Sequence, residues 1–380
     1  MNILIIAPIF PPDKGVGTVR FFSLAKHLLK CNTCFLITNE KENKVDIDFA
    51  DVIYIKQDLK GTNFFATQKK FKNMGQKYCK AAIQLFTNKI DIVLITGGPF
   101  YTFSVAKVAK RYGIPCVLDF RDPWIFDYRE NESFKQQILN KLVHFWDERQ
   151  AIYCATKVVT VSSVWRKTFQ KYYPLCKNKF YTIENGYDDE RIENINFEYN
   201  SNEERLIIGV FGKMFYYSYK YAAVFLDGLK LFDKTNSMYY IKQIGEEEQV
   251  VTSLLKENQM PENLVMNTGF LEYEIGMQEL NKTDAFLIID SRKTAIGTKI
   301  YDYIFLNKPI IYVGPKDSLI GSEVGKFSNG FVCETSMEVA KAFRMLKKGE
   351  CLDKNVLIKD YSRSDKNIKW SELINEIVTN

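Results

Sequence analysis

Short apolar strands and helices alternate along almost the whole chain, and few folds accommodate that rhythm. Runs rich in β-branched residues stand at Asn2–Ala7, Cys34–Thr38, Val52–Ile55, Ile92–Thr96, Pro115–Asp119 and Lys157–Val161. Helical stretches lie between most of them, at Thr18–Leu29, Phe65–Phe86, Tyr101–Arg111 and Phe134–Ala155. A strand that is apolar on both faces must be covered on both, which predicts a parallel sheet with helices on either side. A polar patch, Glu190–Glu204, then breaks the pattern. It resumes with strands at Leu206–Phe211, Tyr239–Ile244, Leu264–Asn267, Ala285–Ile289, Pro309–Val313 and Gly330–Cys333. A last helix, about Asp365–Ile377, comes after the second sheet is complete. The reading is α/β, with two Rossmann-like, doubly wound parallel-sheet domains facing a central cleft. They occupy residues 1–190 and 205–360, with a linker at 191–204 and a C-terminal helix at 361–380 that crosses back to the first domain. A length of 380 residues suits two such domains better than one core.

Composition narrows the class. At 46% hydrophobic and 26% charged residues, the chain is that of a folded globular protein. Its longest apolar runs, such as Ile3–Pro8, fall far short of the ~20 residues a membrane-crossing helix needs. The sequence enters its first strand without a basic, then apolar leader, so a cytoplasmic location is expected. Cys31 and Cys34 are spaced as CxxC, but a second pair for a structural zinc is missing, and the motif precedes a strand where a redox pair would open a helix. They read as reduced thiols. Two histidines, His27 and His144, are too few for a His-based metal site or triad, and no metal or other cofactor is expected.

Charge is uneven. Residues 1–190 hold 28 Lys and Arg against 19 Asp and Glu, so the first half is positive and the rest slightly negative. Lys60, Lys69, Lys70, Lys72, Lys77 and Lys80 are interleaved with Phe64, Phe65, Phe71 and Tyr78. A basic, aromatic helix of this kind fits either an anionic membrane surface or a solvated face over an ordinary core. Nucleic acid is not supported by any recognition motif.

Candidate sites sit where strands end. After the first strand, Gly15 and Gly17 allow close backbone approach to a ligand ahead of a helix N-terminus. A dinucleotide fingerprint would have a third glycine where Arg20 stands. Glu40 fits that motif's ribose acid, but the Pro-rich insertion and the missing glycine argue against NAD. Asp119–Phe120–Arg121–Asp122–Pro123–Trp124 closes another strand. There, Asp119 or Asp122 is expected to orient or deprotonate an acceptor hydroxyl, unless the carboxylates and Arg121 merely brace the loop. In the second half, Lys213 follows a strand directly and Lys220 stands seven residues on, placed to neutralise a diphosphate. Gly297, Thr298 and Lys299 open a helix and offer N–H groups and charge to phosphate. Asp302, one turn deeper, is set to accept from ribose hydroxyls.

These segments, in this order and spacing, resemble the GT-B-fold glycosyltransferases of family 4, particularly those that build bacterial surface polysaccharides such as capsule and O-antigen. The resemblance rests on the Pro-Pro…Gly-Val-Gly…Arg loop, DFRDPW at 119–124, VVTVSS at 158–163, ENGYD at 184–188, Gly-Phe-Leu after Thr268, and GTKIYDY at 297–303 followed by Asn307–Ile311. It implies a retaining transfer, without a catalytic metal, from a nucleotide-diphosphate sugar to a glycan or lipid-linked acceptor. The N-terminal half would then hold the acceptor, and Gly15 and Gly17 would lie near the donor phosphates. The C-terminal half would hold the donor, with Lys213 and Lys220 as the basic pair, Phe270 and Leu271 where the base is read, and Asp302 as the ribose-binding acid. Two departures stand out. Many members carry two Glu residues eight positions apart, whereas here Thr294 precedes Asp302, and the Lys213–Lys220 spacing is longer than usual. Rival readings are a nucleotide-sugar 2-epimerase and a non-catalytic nucleotide-sugar-binding protein.

Overall fold

The computed structural model describes the chain except residues 13–15, 41–43, 60–62, 126–133, 194, 198–203, 247, 351–357 and 380. Its residues form two units, Met1–Asn185 with Arg363–Asn380, and Gly186–Ser362.

The first unit is a seven-stranded sheet of β1 (Asn2–Ile6), β2 (Thr33–Asn39), β3 (Asp51–Ile55), β4 (Ile92–Thr96), β5 (Cys116–Phe120), β6 (Lys157–Thr160) and β7 (Phe180–Thr182). All pairs are parallel, in the order β3-β2-β1-β4-β5-β6-β7. Its helices are α1 (Val16–Leu29), α2 (Phe64–Phe86), α3 (Val105–Arg111), α4 (Phe134–Cys154) and α5 (Ser163–Tyr172). Successive strand residues point to opposite faces, and that period sorts the core. Leu4, Ile6, Val93, Ile95 and Leu118 lie with residues of α2, α3 and α4. Ile3, Ile5, Ile92, Leu94 and Val117 lie with α1 on the other face.

The second unit repeats the plan with β8 (Leu206–Phe211), β9 (Tyr239–Ile244), β10 (Val265–Asn267), β11 (Ala285–Ile289), β12 (Ile310–Val313) and β13 (Gly330–Cys333). These are also parallel, in the order β10-β9-β8-β11-β12-β13. Its helices are α6 (Asp189–Ile192), α7 (Tyr219–Phe232), α8 (Gln249–Glu257), α9 (Tyr273–Asn281), α10 (Lys299–Leu306), α11 (Leu319–Val324) and α12 (Ser336–Lys347). Residues of α7, α8 and α12 share one core with Ile208, Val210, Leu287 and Ile289. Residues of α9, α10 and α11 share the other with Phe286, Ile288 and Tyr312.

The chain leaves the first unit at Asn185, ahead of the 191–204 stretch expected as the linker, because Tyr187 and Ile192 are already buried in the second unit's core. It returns as α13 (Arg363–Thr379), whose Trp370, Leu373 and Ile374 pack on the α1 face of the first sheet. Asn367 donates to Ser23 and the His27 ring meets Ser371, each at about 3 Å, which ties α13 to α1.

Candidate functional site

Parallel α/β sheets bind ligands beyond the carboxyl ends of their strands, and in each unit the residues singled out from the sequence gather at that edge. In the first unit, α1 carries Arg20 onto Asp119 at the end of β5. The guanidinium donates to both carboxylate oxygens at 3.0–3.3 Å. It also donates to the Ile183 and Glu184 carbonyls and to the Asn185 side chain. Asp119 is fully buried. Both of its oxygens accept from Arg20. The pair fixes α1, β5 and the segment after β7 to one another, and the position where a dinucleotide motif wants glycine is filled by this anchor.

Arg121 is also a brace. It donates to the Gly97 carbonyl at 3.2 Å and the Gly98 carbonyl at 2.8 Å. Gly17 sits against it so closely that a Cβ there would lie 2.3 Å from a guanidinium nitrogen. Any side chain at residue 17 would have to displace the Arg121 guanidinium from this position. Gly15 lies outside the described residues. Asp122, by contrast, is exposed.

Beneath this edge the loop after β5 is fastened by a buried acid. Glu148 of α4 accepts from the Tyr173 hydroxyl at 2.7 Å and from the Ile125 amide at 3.2 Å. Burial pushes its carboxyl up to about 7, against the pull of those two donors. One turn earlier, His144 lies among Phe71 and Trp124, with ring centroids 5.2 and 5.3 Å away. Burial lowers its pKa, and its Nδ1 has no hydrogen-bond partner among the described residues. Neither residue stands out from the sequence, since a Glu and a His on a long helix give no signal of burial.

In the second unit, Gly212 at the end of β8 takes φ +72° and turns the chain into Lys213. The Lys213 ammonium is 3.5 Å from the centroid of the Tyr216 ring. Lys299, the first residue of α10, donates to the Lys213 carbonyl at 2.9 Å, so the structure brings these two lysines together. Lys299 keeps some solvent contact, but the surrounding protein pushes its pKa down to about 8, desolvation outweighing the nearby Asp290 and Glu248 carboxylates. Gly297, just ahead, faces open space: among the described residues, no atom comes within 4 Å of where a Cβ would stand. Thr298 is the N-cap without a side-chain capping bond. The first turn of α10, with the Lys299 ammonium, therefore meets the Lys213 turn after β8, a place suited to an anion.

Lys220 is less involved. It is exposed near the start of α7, with its ammonium 5.2 Å from the Tyr221 ring. Phe270 is exposed after β10, whereas Leu271 is half-buried against the α9–α10 core. Asp302 is buried and accepts from the Tyr273 hydroxyl at 2.6 Å. The acid expected to meet a ribose thus shares one of its two oxygens with Tyr273. Sequence reasoning missed Arg292, which lies over the Tyr217 ring at 3.9 Å and pairs with buried Asp290 at 2.6 Å. Its signal is a cation three residues past a strand end, and the same signal marks many surface residues.

The family model of Glycosyltransferase Family 4 matches residues 18–191. No curated protein matches the chain. Among solved structures, Anabaena HepE in complex with UDP superposes with a TM-score of 0.67 at 14% identity, covering 99% of this chain and 100% of that one. Sucrose-phosphate synthase from Thermosynechococcus elongatus gives 0.65 at 10% identity, covering 100% and 99%. UDP-GlcNAc 2-epimerase from Methanocaldococcus jannaschii gives 0.60 at 11% identity, covering 99% and 100%. The chain has the GT-B fold, two Rossmann-like parallel-sheet domains, and residues 18–191 of it match Glycosyltransferase Family 4.

Proposed function

We propose that the chain is a glycosyltransferase that moves a sugar from a nucleotide-diphosphate donor to a glycan or lipid-linked acceptor, with retention, in bacterial surface-polysaccharide assembly. The observation that carries this reading is the cluster of Lys213, Lys299 and the α10 amides at one sheet edge. Breaking a glycosidic bond to a diphosphate requires stabilising the negative charge that develops on the leaving group. Fixed cations and helix amides do so without reorganising, and we assign that task to these groups rather than to a metal ion. A pKa near 8 leaves Lys299 mostly protonated at neutral pH. In the first unit Asp122, the exposed carboxylate after β5, takes the acceptor-side role.

The HepE structures hold UDP, UDP with glucose, and UDP-glucose, which makes UDP-glucose the first donor to test. Release of UDP from it, or of the corresponding diphosphate from a GDP- or CDP-sugar, is expected, and Lys299→Ala should slow it at least about tenfold. The epimerase likeness keeps a second reading open, because that fold is shared. Conversion of free UDP-N-acetylglucosamine to its 2-epimer, with no nucleotide released, would replace the first reading with the second. Neither reaction with any donor would remove both.

A further inference from the structure

The basic helix α2 does not carry the apolar surface that its sequence suggests. Phe71 packs on Tyr101, Trp124 and His144, and Tyr78 is buried with its hydroxyl on Asn39. Among the large apolar residues of α2, Phe65 alone is strongly exposed, at 81%. Lys70 is engaged with Asp58, and Lys77 with the Lys56 carbonyl. Lys60 lies outside the described residues.

The exposed apolar surface is on the next long helix. Along α4, Leu139, Leu142, Val143 and Trp146 recur at the three- and four-residue steps of one helical face. All are exposed, Leu142 at 68% and Trp146 at 70%. A helix of a globular unit normally turns such a stripe inward, yet α4 already buries a second face through Glu148, Ala151 and Ile152. The stripe is continued by Tyr172 and Leu175, the latter 84% exposed, and the Lys141 ammonium lies 6.0 Å from the Tyr172 ring. Exposed large apolar residues grouped in this way mark an interaction surface.

Charge indicates the partner. Between residues 138 and 179 the sequence holds eight Lys and Arg against two acids, Asp147 and the buried Glu148. Arg166, Lys167, Lys171 and Lys177 are exposed in the same stretch as Tyr172 and Leu175. An apolar stripe with an interfacial Trp, set in a cationic surround, complements an anionic bilayer. The apolar side chains enter the headgroup region, and the cations are drawn to the lipid charge.

We propose that the outer face of α4, with Tyr172 and Leu175, seats the first unit on an anionic membrane surface. This reading is independent of the donor cluster, so either can fail without the other. The test uses the full chain with vesicles of phosphatidylcholine alone or with about 30% phosphatidylglycerol. Binding to the anionic vesicles only, weakened by salt, is expected. Leu142→Gln with Trp146→Gln should lower partitioning about tenfold or more while circular dichroism and Tm stay unchanged. Brominated lipid should quench the bound chain, and Trp146→Phe should bind yet lose most of that quenching, a readout that survives if the double variant fails to fold. Absence of binding to anionic vesicles, equal binding by the folded double variant, or unchanged quenching in Trp146→Phe would overturn the proposal. So would a chain that is dimeric in solution and becomes monomeric in the double variant, since the stripe would then be a contact between copies.

Discussion

Two buried carboxylates show how one functional group can serve opposite ends. Asp119 is held by Arg20, and breaking a buried ion pair from one side leaves an uncompensated charge. Arg20→Ala should therefore cost about 3–5 kcal/mol in denaturant unfolding, a drop that a surface arginine would not give. Glu148 has a pKa near 7 in the folded chain, above the ordinary 4.5. Its folded form binds the extra proton between those values, so its contribution to stability is greatest below about 4.5 and falls as pH rises through about 7. Glu148→Gln should flatten that fall, and the pH-dependent difference from the parent should reach on the order of 2–3 kcal/mol by pH 8. A titration of ΔG between about pH 5 and 8 checks it. DFRDPW is legible as a special segment because strand ends collect function, but which of its acids stays exposed is not. That depends on Arg20, 99 positions away in sequence.

At the scale of elements, alternation specifies far more. Strands such as β4 and β11 read directly as apolar runs because both faces of a parallel sheet are covered. The break between units is less legible: Tyr187 and Ile192 follow a loop-like Asn-Gly and precede a polar stretch, and only their burial against the α9–α10 core assigns them forward. Helix contacts are hidden for the same reason. Gly228 of α7 lies where α12 crosses, and a Cβ there would meet Val339 at 2.5 Å and the Ser336 carbonyl at 2.9 Å. Gly228→Ala should force these helices apart and cost about 1–3 kcal/mol, despite alanine's better helix propensity. Thermal unfolding distinguishes this from the slight gain expected at an open helical position.

For the whole molecule, two successive sheets with the parallel order of the Rossmann type define the GT-B fold, and the sequence motifs fall at their carboxyl edges. What cannot be read from sequence is whether a given motif residue faces solvent or its own neighbours. Lys299 donates to the Lys213 carbonyl, Asp302 accepts from Tyr273, and Lys220 lies near the Tyr221 ring. On the proposed reading, the Lys213–Lys299 cluster holds a nucleoside diphosphate. Calorimetric titration of the full chain with UDP, GDP and CDP, at about pH 7 and again at about pH 9, tests this most directly. One nucleotide should bind, more weakly at the higher pH because Lys299 of the unliganded chain has by then lost its proton. Lys299→Ala should bind it at least about tenfold more weakly at neutral pH and lose most of the pH dependence. Binding of no nucleotide, or equal binding by Lys299→Ala, would contradict the claim.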